Sequence, residues 1–190
     1  MAVTNLNNEY IDEQEYLEGE KLAETRHEYI DGKVYAMAGS SKRHNRIALN
    51  LVIALNNQSQ ASCEIYSSDI KVRIPHRKSY YYPDVVVSCD QSNDADDYYL
   101  ENPCLIIEVL SPSTKEKDNT EKLIAYQDIE SLKAYLMVDQ DVCRVSLVYR
   151  QDNGRWWVKT YTDLEDEIIL NCPEMVLRVA DIYDNIAFES

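Results

Sequence analysis

Residues 104–110 read CLIIEVL, a continuous apolar run interrupted by a single carboxylate, Glu108. A short apolar run without alternation is typical of a strand that is buried on both faces of a sheet. An ionised carboxylate in such a strand costs on the order of several kcal/mol unless it is paired or binds a cation. The run therefore predicts a central strand and a partner for Glu108. The alternatives are a glutamate that reaches solvent at the strand end and a buried salt bridge.

A second carboxylate, Asp84, lies in residues 80–88, YYYPDVVVS, which predict another strand. Pro83 cannot donate a ladder hydrogen bond, so it should lie at a strand start, an edge or a bulge. Asp84 is unfavourable beside three valines, although on its own it could simply cap the strand start. Together, Asp84 and Glu108 could converge on one Mg²⁺, which is held by one or two carboxylates plus water and substrate phosphate. Such a site hydrolyses phosphodiester bonds.

The rest of the pattern predicts a mixed central β-sheet flanked by helices, an α/β (α+β) fold. Asp31-Gly32 predicts a two-residue hairpin turn. The strand over 69–74, DIKVRI, should turn Asp69, Lys71 and Arg73 to one face and its apolar residues to the other. The remaining predictions are helices over 12–24, 44–57 and 118–131, strands over 134–139, 142–150 and 155–162, and a short helix in VADIYDNIA. Asp118 is the predicted N-cap of its helix, with Glu121 completing a capping box.

The chain has 190 residues, 45% of them apolar, which predicts one domain with a real core. We divide it into an acidic helical segment (1–26), a core (27–150) and a C-terminal hairpin with a short helix (151–190).

The net charge of −15 argues against a nucleic-acid substrate, because DNA affinity normally comes from Lys and Arg. Residues 32–86 are the basic exception, with eight bases and three acids. The candidate DNA-binding cations are Lys42, Arg43, Arg46, Lys71 and Arg73. The alternative is that they are ordinary solvated charges.

The five cysteines are scattered and never spaced as CxxC. Neither a zinc site nor a disulfide framework is expected from this pattern, and reduced thiols in a cytosolic protein fit it best. No apolar run approaches the ~18–20 residues that a membrane span needs. The acidic N-terminus lacks the basic start and apolar stretch of a signal peptide. These observations predict a cytoplasmic protein that does not enter a membrane.

The strings YYPDVVVSCD and PCLIIEVLSPSTKEKDNTEKLIAYQDIESLKAYLMVD resemble the Uma-two family of restriction-endonuclease-like proteins, in the PD-(D/E)XK nuclease superfamily. The resemblance extends from the hairpin HEYIDGKVYAMAG and His44 to the C-terminal VADIY. It implies a restriction-endonuclease-like fold. It also implies that Asp84 and Glu108 bind Mg²⁺, with Mn²⁺ as an alternative ion.

The chain departs from the superfamily pattern at Leu110, where a lysine follows the strand glutamate by two residues. The resemblance implies that Lys122, from the next helix, takes that role by orienting the attacking water and stabilising transition-state charge. The alternative is an exposed helix lysine paired with a nearby Asp.

Three further residues are weaker candidates. Glu28 matches a family glutamate and could supply another acid near the metal. His44 could assist proton transfer, although a capping or packing role is the alternative. Asp69 could be a third acid that shares a strand face with two phosphate-binding cations, or it could belong to a solvated edge strand.

The resulting functional hypothesis is a Mg²⁺-dependent endonuclease that hydrolyses DNA as a homodimer; the dimer is implied by the resemblance alone. A second hypothesis is a catalytically inactive interaction or DNA-binding module that has kept the fold. The departure at Leu110 and the acidic composition favour it. A third is a phosphodiesterase acting on RNA or nucleotides.

Overall fold

The computed structural model describes residues 10–58, 63–89, 96–112 and 114–188. The helices are α1 Glu13–Leu22, α2 Lys42–Gln58, α3 Lys115–Lys117, α4 Leu123–Tyr126 and α5 Val179–Ile182. A π turn, Asp118–Lys122, joins α3 to α4, and a 3₁₀ turn covers Pro75–Arg77. The strands are β1 His27–Ile30, β2 Lys33–Ala36, β3 Glu64–Ser67, β4 Lys71–Ile74, β5 Ser79–Tyr81, β6 Val85–Ser88, β7 Tyr99–Leu100, β8 Leu105–Leu110, β9 Ala134–Asp139, β10 Val145–Arg150, β11 Trp156–Tyr161, β12 Glu167–Asn171 and β13 Glu174–Arg178.

The strands form two mixed sheets and a hairpin. One sheet has the order β2-β1-β5-β4-β7, the other has the order β11-β10-β9-β8-β6-β3, and β12 pairs with β13. In the larger sheet, β8 runs parallel to β9 and antiparallel to β6. This mixed α+β architecture confirms the predicted fold class.

Strand β8 is the central strand that the apolar run predicted, and all six of its residues are buried. Leu105, Ile107 and Val109 pack in one apolar core with the buried face of α2. Ile106 packs in a second core, which the smaller sheet and α4 also line. Because side chains alternate along a strand, Glu108 belongs to the same face as Ile106 and is directed towards this second core.

The predicted strand over 80–88 is in fact two strands that belong to different sheets. Ser79–Tyr81 is part of the smaller sheet, whereas Val85–Ser88 is part of the larger one. Pro83 lies in the connection between them, where its missing N–H removes no ladder bond. The single-strand prediction is therefore wrong, and the break leaves Asp84 where the chain passes from one sheet to the other.

Local turn and cap chemistry was predicted with mixed success. The hairpin at Asp31-Gly32 is confirmed, with φ of 42° and 85° at its two central residues. Asp118 is not an N-cap, because its φ and ψ of −67° and −36° place it inside the helical segment that begins at Lys115. That segment ends at Tyr126, earlier than predicted.

Lys71 of β4 is buried, so the alternative of an ordinary solvated charge does not hold for it. The strand lies inside its sheet, between β5 and β7, and the Lys71 ammonium lies 3.4 Å from the Tyr82 hydroxyl. Burial lowers the pKa of Lys71. Val72 and Ile74 are core residues, as the pattern predicted.

The expectation of reduced thiols is wrong for Cys63 and Cys89, which form a disulfide. Strands β3 and β6 pair antiparallel with Glu64 opposite Ser88, so the residues just outside that pair face each other. Sequence spacing carries no trace of this pairing. In the described part of the chain, no helix combines the length and apolar character that crossing a membrane requires.

Candidate active site

A cavity of about 320 Å³ opens where β6, β8, the start of α2 and the π turn meet. It contains four of the residues selected from sequence: Asp84, Glu108, Lys122 and His44. The remaining lining residues are Met37, Ala38, Gly39, Ser40, Ser41, Tyr82, Val109, Ser111, Pro112, Thr114, Asp118 and Gln140. Residues far apart along the chain thus converge on one cleft.

Asp84 reaches this cleft because it immediately precedes β6, whose pairing with β8 ends at Val85 opposite Ile107, one residue before Glu108. Its Oδ2 accepts a hydrogen bond from the Val109 N–H at 2.7 Å. The same oxygen lies 3.2 Å from His44 Nε2. Burial opposes charge on His44, but the adjacent Asp84 outweighs it and raises the pKa of His44. The carboxylate is therefore fixed in orientation by a backbone group and an imidazole.

Glu108 is only 4% exposed, and its Oε1 accepts two hydrogen bonds. The donors are the Lys122 ammonium at 2.9 Å and the Tyr126 hydroxyl at 3.0 Å. Burial raises the pKa of Glu108 well above its usual value; Lys122 lowers it in part, and the nearby carboxylates Asp118 and Asp84 raise it. A carboxylate held this deep stays charged only while a cation lies beside it.

Lys122 supplies that cation and contacts three carboxylates at once. Its Nζ lies 2.9 Å from Glu108 Oε1, 2.9 Å from Glu28 Oε1 and 3.3 Å from Asp118 Oδ1. Burial disfavours its charge, yet Glu108 and Glu28 raise the pKa of Lys122 well above its usual value. Among the alternatives weighed from sequence, a buried salt bridge for Glu108 is thus realised, and an exposed position for Lys122 is not.

Glu28 belongs to the same network and is buried. Lys117 Nζ lies 2.6 Å from its Oε2. Burial opposes charge on Glu28, but Lys122 and Lys117 outweigh it and lower the pKa of Glu28. The hairpin of β1 and β2 thus brings a further acid to Lys122.

Sequence reasoning missed Asp118 and Tyr126 as members of this network. Both are four residues from Lys122, so they project from the same side of the helical segment. The i, i+4 spacing of Asp118, Lys122 and Tyr126 indicates that the three side chains lie on one side of a helix. The prediction of Asp118 as an N-cap hides this pattern. The π turn that contains Asp118 and Lys122 is a rare element that is frequent at functional sites.

The chemistry of the donor set fits a small divalent cation. The hydrogen bonds and ion pairs among the described residues use Asp84 Oδ2 and Glu108 Oε1, and the second oxygen of each carboxylate takes part in none. Mg²⁺ accepts one or two carboxylates and keeps several waters. The acids do not form a closed cage, because the one described group of three ligating side chains within 4.8 Å is formed by cysteines. Asp84 and Glu108 are the residues that would hold the ion.

The other candidate residues lie outside the cavity lining. Asp69 is exposed and pairs with Arg26 at 3.3 Å. Arg73 lies 3.1 Å from Glu13 and 2.7 Å from Glu101. Arg43 lies 3.4 Å from Asp141. Lys42 and Arg46 are exposed on the first turns of α2.

The mixed α+β fold is restriction-endonuclease-like. A crystal structure of a "putative nuclease belonging to DUF820" from Anabaena variabilis superposes with a TM-score of 0.72, at 18% identity over 91% of this chain and 97% of that one. The model of the Uma2 family, described as "Putative restriction endonuclease", matches residues 13–180. The chain belongs to the Uma2 family.

Two relatives from Synechocystis sp. (strain ATCC 27184 / PCC 6803 / Kazusa) are uncharacterised proteins. One is 35% identical over 176 residues, which cover 92% of each chain. The other is 36% identical over 149 residues, which cover 77% of this chain and 84% of the relative. They support the family and add no information on activity.

Proposed function

We propose that this protein is a Mg²⁺-dependent endonuclease that hydrolyses phosphodiester bonds in DNA, with Mn²⁺ able to replace Mg²⁺. The observation that carries the proposal is that Asp84, Glu108 and Lys122 line one cavity although they come from three separate elements. The Uma2 family match supports a nuclease. Two acids and a lysine in one cleft are the groups that metal-assisted phosphodiester hydrolysis needs.

Asp84 and Glu108 are the proposed metal-binding residues, since each retains a carboxylate oxygen outside the described hydrogen bonds. A bound divalent cation would polarise the attacking water and neutralise charge on the scissile phosphate. His44 and the Val109 N–H hold Asp84 in place. Tyr126 holds Glu108, so that both carboxylates are oriented before substrate arrives.

Lys122 is the proposed positive charge at the reacting phosphate. Its ammonium donates to Glu108 in the structure, so a phosphate oxygen entering the cleft would compete for the same donor. A fixed cation at a site of developing negative charge lowers the barrier without reorganisation. Glu28 and Asp118 keep this lysine charged and aimed into the cleft.

DNA reaches the cleft, in this proposal, along the start of α2. Lys42 and Arg46 are exposed there, and Ser41 and His44 of the same segment line the cavity. Arg43 can exchange Asp141 for a phosphate because surface ion pairs contribute little to stability. Lys71 and Arg73 are weaker candidates for DNA contacts, because Lys71 is buried and Arg73 is paired with two acids.

We propose a homodimer, since two copies of the active site would cut both strands of the DNA.

The test is cleavage of supercoiled plasmid, single-stranded DNA and RNA at low salt, with Mg²⁺, Mn²⁺ or a chelator. Asp84→Asn and Glu108→Gln should each lower metal-dependent cleavage at least about 100-fold, as expected for loss of a residue that stabilises the transition state. The matched controls are Asp152→Asn and Glu130→Gln, exposed acids outside the cavity. Their activity should equal that of the wild type.

The rival function is an interaction or DNA-binding module without catalysis. The departure at Leu110, now a buried core residue, and the ion-paired state of Arg73 favour it. Metal-independent DNA binding with no cleavage of any substrate would establish the rival. Cleavage of RNA alone would replace the proposed substrate but keep the mechanism.

A further inference from the structure

Four of the five cysteines converge at the end of the β6–β8 pair opposite to the acidic cleft. Cys63 precedes β3, Cys89 follows β6, and Cys104 precedes β8. Since these three strands are neighbours in the larger sheet, their ends lie together. Cys172 comes from the turn between β12 and β13. Four separate chain segments therefore contribute one sulfur each.

Three of these sulfurs, those of Cys89, Cys104 and Cys172, have the spacing of metal ligands. Cys63 and Cys89 are disulfide-bonded, and Cys104 Sγ lies 3.5 Å from Cys89 Sγ. The sulfurs of Cys89, Cys104 and Cys172 all lie within 4.8 Å of one another. In a tetrahedral zinc site, Zn–S bonds of about 2.3 Å separate the sulfurs by roughly 3.8 Å.

Two of the four sulfurs, those of Cys104 and Cys172, belong to free thiols. Cys104 is buried, and Cys172 is half-buried. The thiolate is the form that binds metals, so both thiols would lose their protons when the ion binds.

We propose that reduction of the Cys63–Cys89 disulfide creates a four-cysteine zinc site, formed by Cys63, Cys89, Cys104 and Cys172. A dithiol reductant breaks the S–S bond, gives two electrons and two protons to the two sulfurs, and becomes a disulfide itself. One Zn²⁺ then binds the four sulfurs, and the thiol protons are released to solvent. The structure has the disulfide form of the same cluster.

The site would be structural, because all four positions of the ion are taken by protein. It would join β3, β6 and β8 to the β12–β13 hairpin, whereas the disulfide joins β3 to β6 only. Zinc binding should therefore stabilise the packing of the C-terminal hairpin against the larger sheet. The proposal is independent of the nuclease function.

The experiment uses the full chain, treated anaerobically with a dithiol, freed of the reductant and titrated with Zn²⁺. We expect one zinc per chain after gel filtration, measured by atomic emission. With Co²⁺ we expect the intense visible absorption of a tetrahedral cobalt–thiolate centre. Cys104→Ser and Cys172→Ser should each lower zinc affinity at least 100-fold. Cys143→Ser, which removes a half-buried thiol outside the cluster, should not change it.

A second measurement guards against unfolded variants. Wild type with the disulfide intact retains its fold but offers only two free thiols of the cluster, so its zinc affinity should also fall at least 100-fold. The proposal is overturned if reduced wild type takes up no stoichiometric zinc. It is equally overturned if the disulfide form or Cys104→Ser binds zinc as tightly as reduced wild type.

Discussion

The two ends of the antiparallel pair β6–β8 differ in chemistry, although the paired residues between them, Val85–Val87 and Leu105–Ile107, are all apolar. At one end are the oxygen donors Asp84 and Glu108, and at the other are the sulfur donors Cys89 and Cys104. Asp84 and Cys89 are separated only by Val85–Ser88, about 16 Å along an extended strand. Carboxylates suit Mg²⁺ and Mn²⁺, whereas thiolates suit zinc. The proposed Mg²⁺ site and the proposed zinc site therefore lie at opposite ends of one pair of strands.

The two ends also differ in how charge is compensated. The acidic end contains its own cation, Lys122, which contacts three carboxylates. At the thiol end, sulfurs are joined by a covalent bond and a close Cys89–Cys104 contact. The first arrangement depends on an ion pair and the second on redox state. Variants at each end should therefore respond to different treatments.

The largest expected effect is that of Lys122→Met on stability. It leaves Glu108, Glu28 and Asp118 buried without their common cation, which should cost roughly 3–5 kcal/mol in the free energy of unfolding. Urea denaturation measures the loss. Lys33→Met, on an exposed position of β2, is the control. A second replacement, Glu108→Gln, should recover part of the loss, and full additivity of the two changes would contradict direct coupling.

Crossed metal tests check whether the two ends are independent. Cys104→Ser should abolish the zinc-induced rise in thermal stability of the reduced protein and leave Mg²⁺-dependent cleavage unchanged. Glu108→Gln should lower that cleavage at least about 100-fold, about 2.7 kcal/mol, and leave zinc uptake unchanged. If either variant impairs both zinc binding and Mg²⁺-dependent cleavage, the two ends of the strand pair are not independent.

A smaller effect is expected for Tyr126→Phe. Loss of the hydroxyl that donates to Glu108 at 3.0 Å should cost about 1.5–3 kcal/mol, the usual range for a hydrogen bond to a charged group. Thermal unfolding measures it, and Tyr149→Phe, outside the cleft, is the control. An unchanged melting temperature would mean that Glu108 does not depend on this donor.

The smallest effect concerns the hairpin that presents Glu28 to Lys122. Gly32 has a φ of 85°, and an added Cβ would also collide with the Tyr10 ring. Gly32→Ala should cost about 1–2 kcal/mol in unfolding free energy. Gly39→Ala, where a Cβ meets nothing within 4 Å, should be close to neutral. Equal stability of the two variants would show that the turn tolerates a side chain.

Local patterns predicted the elements whose causes are local. The buried run of β8, the turn at Asp31-Gly32 and the amphipathic helix α2 follow from hydrophobic period and turn chemistry. The division of residues 80–88 between two sheets could not be predicted in this way, because only strand pairing decides which sheet receives each half. Burial of Lys71 and the Cys63–Cys89 bond depend on distant segments for the same reason.

In the candidate site, too, some residues could be predicted from local sequence patterns and others depend on contacts between distant segments. Glu108 could be selected from the sequence because a charge in an apolar strand is costly. Asp84 could be selected only because it and Glu108 together could bind one cation. Lys122 came from the resemblance, since an isolated helix lysine carries no signal. The roles of Asp118 and Tyr126 require knowing that one side of a helical segment faces the Glu108 strand.

The connection Tyr82-Pro83-Asp84 also limits the distance between the two strands that it joins, which belong to different sheets. From Tyr81 to Val85 the chain can stretch at most about 14 Å, and packed sheets are separated by about 10 Å. The maximum length of the linker therefore exceeds the distance between the sheets by only about 4 Å. Chain length therefore sets where the carboxylate stands, and a one-residue insertion there should displace Asp84 more than most substitutions of its neighbours.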